Sequence, residues 1–154
     1  LQTFPYHRDH LAVVVHPEHP LAARETVAFE DTIDHEHVDI VARSIMKTTQ
    51  RNAAAAAGKP MRYRIQVSTV DAAYRIVAAQ LALAIVPREE AEPIREALGL
   101  RVIPLSNDWA RRQFVVCMRP GGLSLPAQLL VQSLRDSAAA PQVKPSHQQR
   151  ANQQ

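Results

Sequence analysis

Six of the seven histidines fall within the first 37 residues, so metal ligation is the first chemistry to weigh. His16 and His19 are three apart, and His35 and His37 two apart. Pro17-Glu18 splits the first pair and Pro20 follows it, so no helix presents both rings on one face. They read as turn and loop histidines, with no metal expected. Nucleophilic catalysis has less support. Cys117 sits inside the apolar run Phe114-Val115-Val116-Cys117-Met118, where a thiol is expected to be a small buried hydrophobe. The chain contains no G-x-S-x-G elbow, no phosphate loop and no G-x-G-x-x-G. Glu89, Glu90 and Glu92 stand at a helix start, where the macrodipole explains them. No catalytic residue and no cofactor is expected.

Anion binding is better supported. Ser44 in one place, and Ser68 with Thr69 in another, lie where a helix begins directly after an extended segment. The first N–H groups of a helix have no partner within it, and a neighbouring hydroxyl completes an anion site. In open α/β sheets ligands sit at the carboxyl ends of strands, where Ser68 and Thr69 fall. Plain capping, with Ser68 and Asp71 as a capping box, is the alternative.

The elements that must hold these residues are legible in outline. Residues 1–8 read as short and irregular. Leu11-Ala12-Val13-Val14-Val15 is a β-branched apolar run closed by His16-Pro17, the mark of a strand buried on both faces. Residues 21–39 are acidic and read as a loop with one short helix. A helix follows over 44–57, capped by Ser44, carrying Ala53 to Ala57 and ended by Gly58. Residues 62–67 alternate as a strand with one wet face. Val70, Ala73, Tyr74, Val77, Ala78 and Leu81 recur at helical spacing. Residues 83–87 form another buried strand, and Glu89 to Leu98 a helix interrupted at Pro93 and ended by Gly99. Strands at 102–105 and 114–118 precede a last helix over 125–134. The order β-α-β-α-β-α-β-β-α argues for α/β layering.

Composition narrows the class. The 154 residues are 46% hydrophobic with no run long enough to span a membrane, so no membrane role is expected. A single cysteine excludes an internal disulfide framework. The net charge of +3 comes from scattered arginines and gives little support for nucleic-acid binding by this segment.

The segment Asp9–Ala22, with Leu11, Val14, His19, Pro20, Leu21 and Ala22, resembles a corresponding segment of LysR-type transcriptional regulators. Val77-Ala78-Ala79-Gln80-Leu81-Ala82-Leu83-Ala84-Ile85-Val86-Pro87 is similar to their V-A-A-G-x-G-I-x-x-x-P element, and the order continues through Ala91–Leu105 and Trp109 to Arg119. Both family glycines are replaced here, by Gln80 and Ala82. A positive φ at Gln80 costs more than it would at glycine.

The resemblance implies an α/β, type II periplasmic-binding-protein-like fold, a mixed sheet with flanking helices, holding one complete lobe and part of a second. On that mapping residues 1–136 are a partial effector-binding domain. Residues 17–111 form the second lobe, residues 1–16 and 112–136 supply crossover strands and a remnant of the first, and 137–154 are a disordered tail. The implied role is non-enzymatic effector sensing in the cytoplasm. The partners would be a small-molecule effector, a homodimer or tetramer, and DNA only through an N-terminal domain that this segment does not include. The family's cleft positions map onto the start of the helix near Ser44 and onto Ser68 and Thr69, and Arg43, beside Ser44, is taken as a further ligand-binding residue. A solute-binding receptor of a transport system is the rival reading.

The histidine reading has a direct check. After dialysis the chain is expected to carry no stoichiometric zinc by elemental analysis. One equivalent of metal, lost in His16→Ala, is the contrary result.

Overall fold

The computed structural model describes residues 1–140, which fall into two units: residues 8–112, and residues 1–7 with the chain from 113 onward. Two strands, β1 (Gln2–Val15) and β6 (Arg111–Met118), pair and contribute to both.

In the larger unit every residue from Leu11 to Val15 is at most 1% exposed. β1 lies between β4 (Ala84–Pro87) and β5 (Arg101–Pro104), antiparallel to each, with Val13 opposite Ile85 on one side and Ile103 on the other. β2 (His37–Ile40) and β3 (Tyr63–Val67) are parallel, with Ile40 opposite Val67. Val38 N–H donates to the Leu83 carbonyl at 2.8 Å and Leu83 N–H to that of Glu36 at 2.9 Å, which joins this pair to β4. The resulting order, β3-β2-β4-β1-β5, is a mixed sheet.

Because β1 is apolar on both faces, both faces must be covered. Leu11, Val13 and Val15 enter one core with Phe29, Ile33, Met46, Ile85 and Leu105, beneath α1 (Phe29–Thr32) and α2 (Ser44–Ala56). Val14 enters the other with Val38, Tyr74, Val77 and Val86, beneath α3 (Val70–Ala78) and α4 (Arg88–Leu98). Each of these aliphatic side chains contributes roughly 1.5–3 kcal/mol by leaving water.

The smaller unit carries the outer parts of β1 and β6 and helix α5 (Leu125–Ala139). Gln113 donates to the His7 carbonyl at 3.1 Å, the His7 and Phe114 rings stack at 6.0 Å, and Arg135 lies over Phe4. Leu125, Leu129 and Leu130 are exposed. Gly121 and Gly122 both take positive φ, as a turn before a proline-opened helix requires.

Several expectations are corrected. Residues 2–8 are not irregular but the outer part of β1. Strand β2 replaces the end of the expected acidic loop: His37-Val38-Asp39-Ile40 is buried throughout, its polar side chains satisfied by partners rather than water. Pro93 does not interrupt α4, because it lies on an exposed face where the Glu89 carbonyl, losing its partner, meets solvent. Leu81 lies beyond α3 and is 40% exposed. Cys117 is exposed, since β6 is largely uncovered along that stretch. Helix α5 runs to Ala139, three residues into the expected tail, and the expectation for residues 141–154 lies outside the described residues.

One ion pair fixes where β1 enters the larger unit. Arg112 Nε donates to Asp9 Oδ1 at 2.7 Å and a second guanidinium N–H donates to Oδ2, with the Asp9 side chain only 5% exposed. Such a bidentate pair resists loss of one partner. Asp9→Ala is expected to cost about 2 kcal/mol in urea unfolding, because the half-buried guanidinium loses its carboxylate. An unchanged midpoint would show that the pair contributes nothing net.

Candidate functional site

β2 and β3 end together, and the chain leaves both at one edge of the sheet. After Ile40 a 3-10 turn, Val41–Arg43, leads into α2. After Val67 come Ser68 and Thr69, then α3. After Pro87, α4 begins at once. Parallel strands impose this: each must be followed by a crossover, so helices start where strands finish. Arg43, Ser44, Ser68 and Thr69 are thereby brought to a single carboxyl edge.

Their roles differ from the sequence reading in two respects. Ser44 does not cap α2. It is already the first helical residue, Arg43 holds the cap position, and no side chain accepts a first-turn N–H. The preceding 3-10 turn moves the helix start past the hydroxyl. Ser68 does not cap α3 either. Thr69, one residue on, is extended and its Oγ1 accepts from Ala72 N–H at 3.2 Å, so Ser68 and Asp71 form no capping box. Asp71 pairs instead with Arg75.

The helix starts are also unequal in charge. α4 carries Glu89 and Glu90 in its first turn, and Glu90 forms an ion pair with Arg43. α3 carries Asp71. α2 has neither an acidic residue nor a side-chain cap in its first turn, so no side chain there offsets its partial positive charge. Beside the Arg43–Glu90 pair lies Tyr74, only 3% exposed, its hydroxyl without a hydrogen-bond partner. Burial, and then the Glu90 carboxylate, push this phenol up to about 12 despite Arg43, so it remains a donor.

Behind the edge lies a polar group that sequence reasoning missed. Asp39, 6% exposed on β2, accepts from Lys47 of α2 and, at 3.0 Å, from Gln66 of β3. Lys47 and Arg51 also lie over the Tyr63 ring. The only signal was Asp39 alternating with Val38 and Ile40, hidden within an acidic stretch.

The opposite, amino edge gathers histidines. His16, His19 and His35 line a cavity of about 320 Å³ with Glu18, Glu36, Gln80 and Leu83. The His19 and His35 rings meet edge to face at 4.6 Å. Burial, and then His35, hold the His19 imidazole below its ordinary value. Gln80 takes φ +61°, the one positive φ outside glycine among the described residues, at a cost of about 1–2 kcal/mol. No three His, Cys, Asp or Glu side chains among the described residues converge as metal ligands. No helix among them is long and apolar enough to cross a membrane.

The sequence matches the profile of the LysR substrate binding domain over residues 1–139. Among solved structures the chain is similar to the CcmR regulatory domain of Synechocystis PCC6803 in complex with 2-PG, at 16% identity and TM-score 0.74, covering 90% of this chain and 67% of that one. It is similar also to the regulatory domain of the LysR family regulator NMB2055 (MetR) from N. meningitidis, at 17% identity and TM-score 0.73, covering 88% and 63%. A third is the BenM effector binding domain with its effector benzoate, at 21% identity and TM-score 0.66, covering 88% and 62%. These likenesses establish the type II periplasmic-binding-protein-like α/β fold. The chain spans between 62% and 67% of these three regulatory-domain structures. Comparison with curated proteins gives no match.

The remaining histidine of this region yields a pH prediction. His37 is 1% exposed, and its Nδ1–H donates to the His35 carbonyl at 3.0 Å. Burial pushes its imidazole down to about 4, so the native state holds it neutral. The unfolded chain takes up the proton near the ordinary value of about 6.5, so this stability is complete above that pH and drains away as pH falls toward 4. Urea unfolding is expected to lose about 2 kcal/mol between about pH 7.5 and pH 5, a slope reduced in His37→Gln. Equal slopes in both proteins would contradict this.

Proposed function

Because the chain belongs to the LysR substrate binding domain family, we propose that its effector is a small organic anion held at the carboxyl edge of β2 and β3. The observation that carries this reading is the start of α2. It is uncapped and free of acidic side chains, it follows Arg43, and it shares its edge with the hydroxyls of Ser44, Ser68 and Thr69. A carboxylate there gains roughly 0.3–1 kcal/mol from a helix terminus. Each charge-assisted hydrogen bond adds about 1.5–3 kcal/mol. Ser68 and Thr69 are the principal donors and Ser44 the secondary one. The Thr69 oxygen accepts the α3 cap, which leaves its proton for the ligand. Arg43 contributes less than a free guanidinium, since Glu90 already shares its charge. Two or three such contacts give on the order of 4–8 kcal/mol before ordering costs, in the millimolar to micromolar range suited to sensing a metabolite.

The role is regulatory and involves no catalytic step. In the whole regulator the domain would act in the cytoplasm as part of a homodimer or tetramer, with DNA contacted by a separate N-terminal domain. The effector acts through its different affinity for two arrangements of the protein, as any ligand-driven switch requires. A transport-type receptor is less well supported, since the matching profile and the structures described above belong to regulators.

In the regulator that carries this domain, calorimetric screening of small carboxylic acids is expected to find a binder. Thr69→Val should weaken it about tenfold, the loss of one charge-assisted hydrogen bond. Binding by neutral or cationic compounds alone, or unaltered affinity in Ser68→Ala and Thr69→Val, would reduce these hydroxyls to structural roles.

A further inference from the structure

We propose that the cavity at the amino edge of the sheet, with His16, His19 and Gln80 at its mouth, is a second small-molecule site for a compound with an apolar body and a carboxylate or carbonyl head. Its volume of about 320 Å³ is enough for a single aromatic ring. Pro20, Leu81 and Ala82 contribute apolar lining, backed by the fully buried Val77 and Leu83.

The rim offers donors. His16 Nδ1 accepts from Glu18 N–H and His19 Nδ1 from Leu21 N–H, each at 3.1 Å. A neutral imidazole accepts at one nitrogen only, so both rings carry their proton on Nε2. Metal ligation at Nε2 would require moving its proton to Nδ1 at the loss of that backbone hydrogen bond. The carboxylates nearby have partners. Glu36 pairs with Arg62 and Arg64, and Glu18 accepts from the Gln80 carboxamide at 3.2 Å. That carboxamide nitrogen also lies 3.3 Å from His16 Nε2. Glu18 is thus the acceptor for the carboxamide, while the His16 and His19 Nε2–H groups are the donors that an oxygen placed at the mouth would meet.

Gln80 is one of the two departures from the resembled glycine pattern. The family pattern has glycine here, and the backbone keeps the left-handed conformation glycine adopts freely, with φ +61°. Strain retained in order to hold a side chain over a cavity mouth is a mark of function. The carboxamide and the two imidazoles belong to different loops, which the cavity brings together.

Benzoate and its isostere benzamide are the probes, with imidazole resonances followed by NMR on the full chain. The expected result is saturable binding of one or both that shifts the His16 and His19 Nε2–H signals. Benzoate alone indicates a carboxylate head, and both together a carbonyl oxygen. Gln80→Gly relaxes the backbone, so its unfolding midpoint should hold or rise while affinity falls about tenfold. Thr69→Val, at the other edge, should leave these shifts intact, which separates this site from the effector site. Undisturbed ring signals at about 10 mM of both probes, well above useful affinity, would overturn the proposal. So would undiminished binding by Gln80→Gly.

Discussion

The rest of this structure depends on a strand with nothing polar to offer on either face. Leu11 to Val15 are all essentially inaccessible to water, and alternate residues feed two separate cores. A half-wet sheet could not accommodate such a strand. Helices must therefore cover both sides, and polar chemistry is confined to the two edges where strands end. The candidate sites are there because the faces are closed to them.

The two edges differ in electrical character. At the carboxyl edge the helix starts are oriented alike, and most of the charge is already matched: Glu90 with Arg43, Asp39 with Lys47, Asp71 with Arg75. What is left over is the positive end of α2 and the unpartnered hydroxyl of Tyr74. On the proposed reading an incoming anion meets fixed dipoles at an exposed edge, so its binding weakens as salt rises. At the amino edge the groups are imidazoles: His16 and His19 each accept a backbone N–H at Nδ1, and burial holds His19 below its ordinary value.

Patterns that burial dictates were readable from sequence. The β-branched run at 11–15, the spacing of Ala73, Tyr74 and Val77, and the glycines at 58 and 99 each led to an element that the structure contains, because each follows from a local rule. Contacts between distant residues were not readable. Nothing local to Asp39 says that Lys47 and Gln66 will satisfy it, so its strand reads as loop from sequence alone. The caps differ by one residue from the sequence reading, since Ser68 and Thr69 are equivalent as residue types and it is Thr69 that the structure holds extended at the cap of α3. The exposure of Cys117 depends on what covers β6, which is a matter of long-range packing. The departure at Gln80 was visible as a missing glycine, but its reach to His16 and Glu18 required three-dimensional placement.

The central claim is that an effector is read at the carboxyl edge. Backbone amide shifts recorded while a bound small carboxylate is titrated into the protein test it most directly, because they report which N–H groups receive the anion. The largest changes are expected at Ser44, Ile45 and Met46 of α2 and at Thr69 through Ala72 at the start of α3. Changes confined to the loops around His16 and His35, with the starts of α2 and α3 silent, would contradict it.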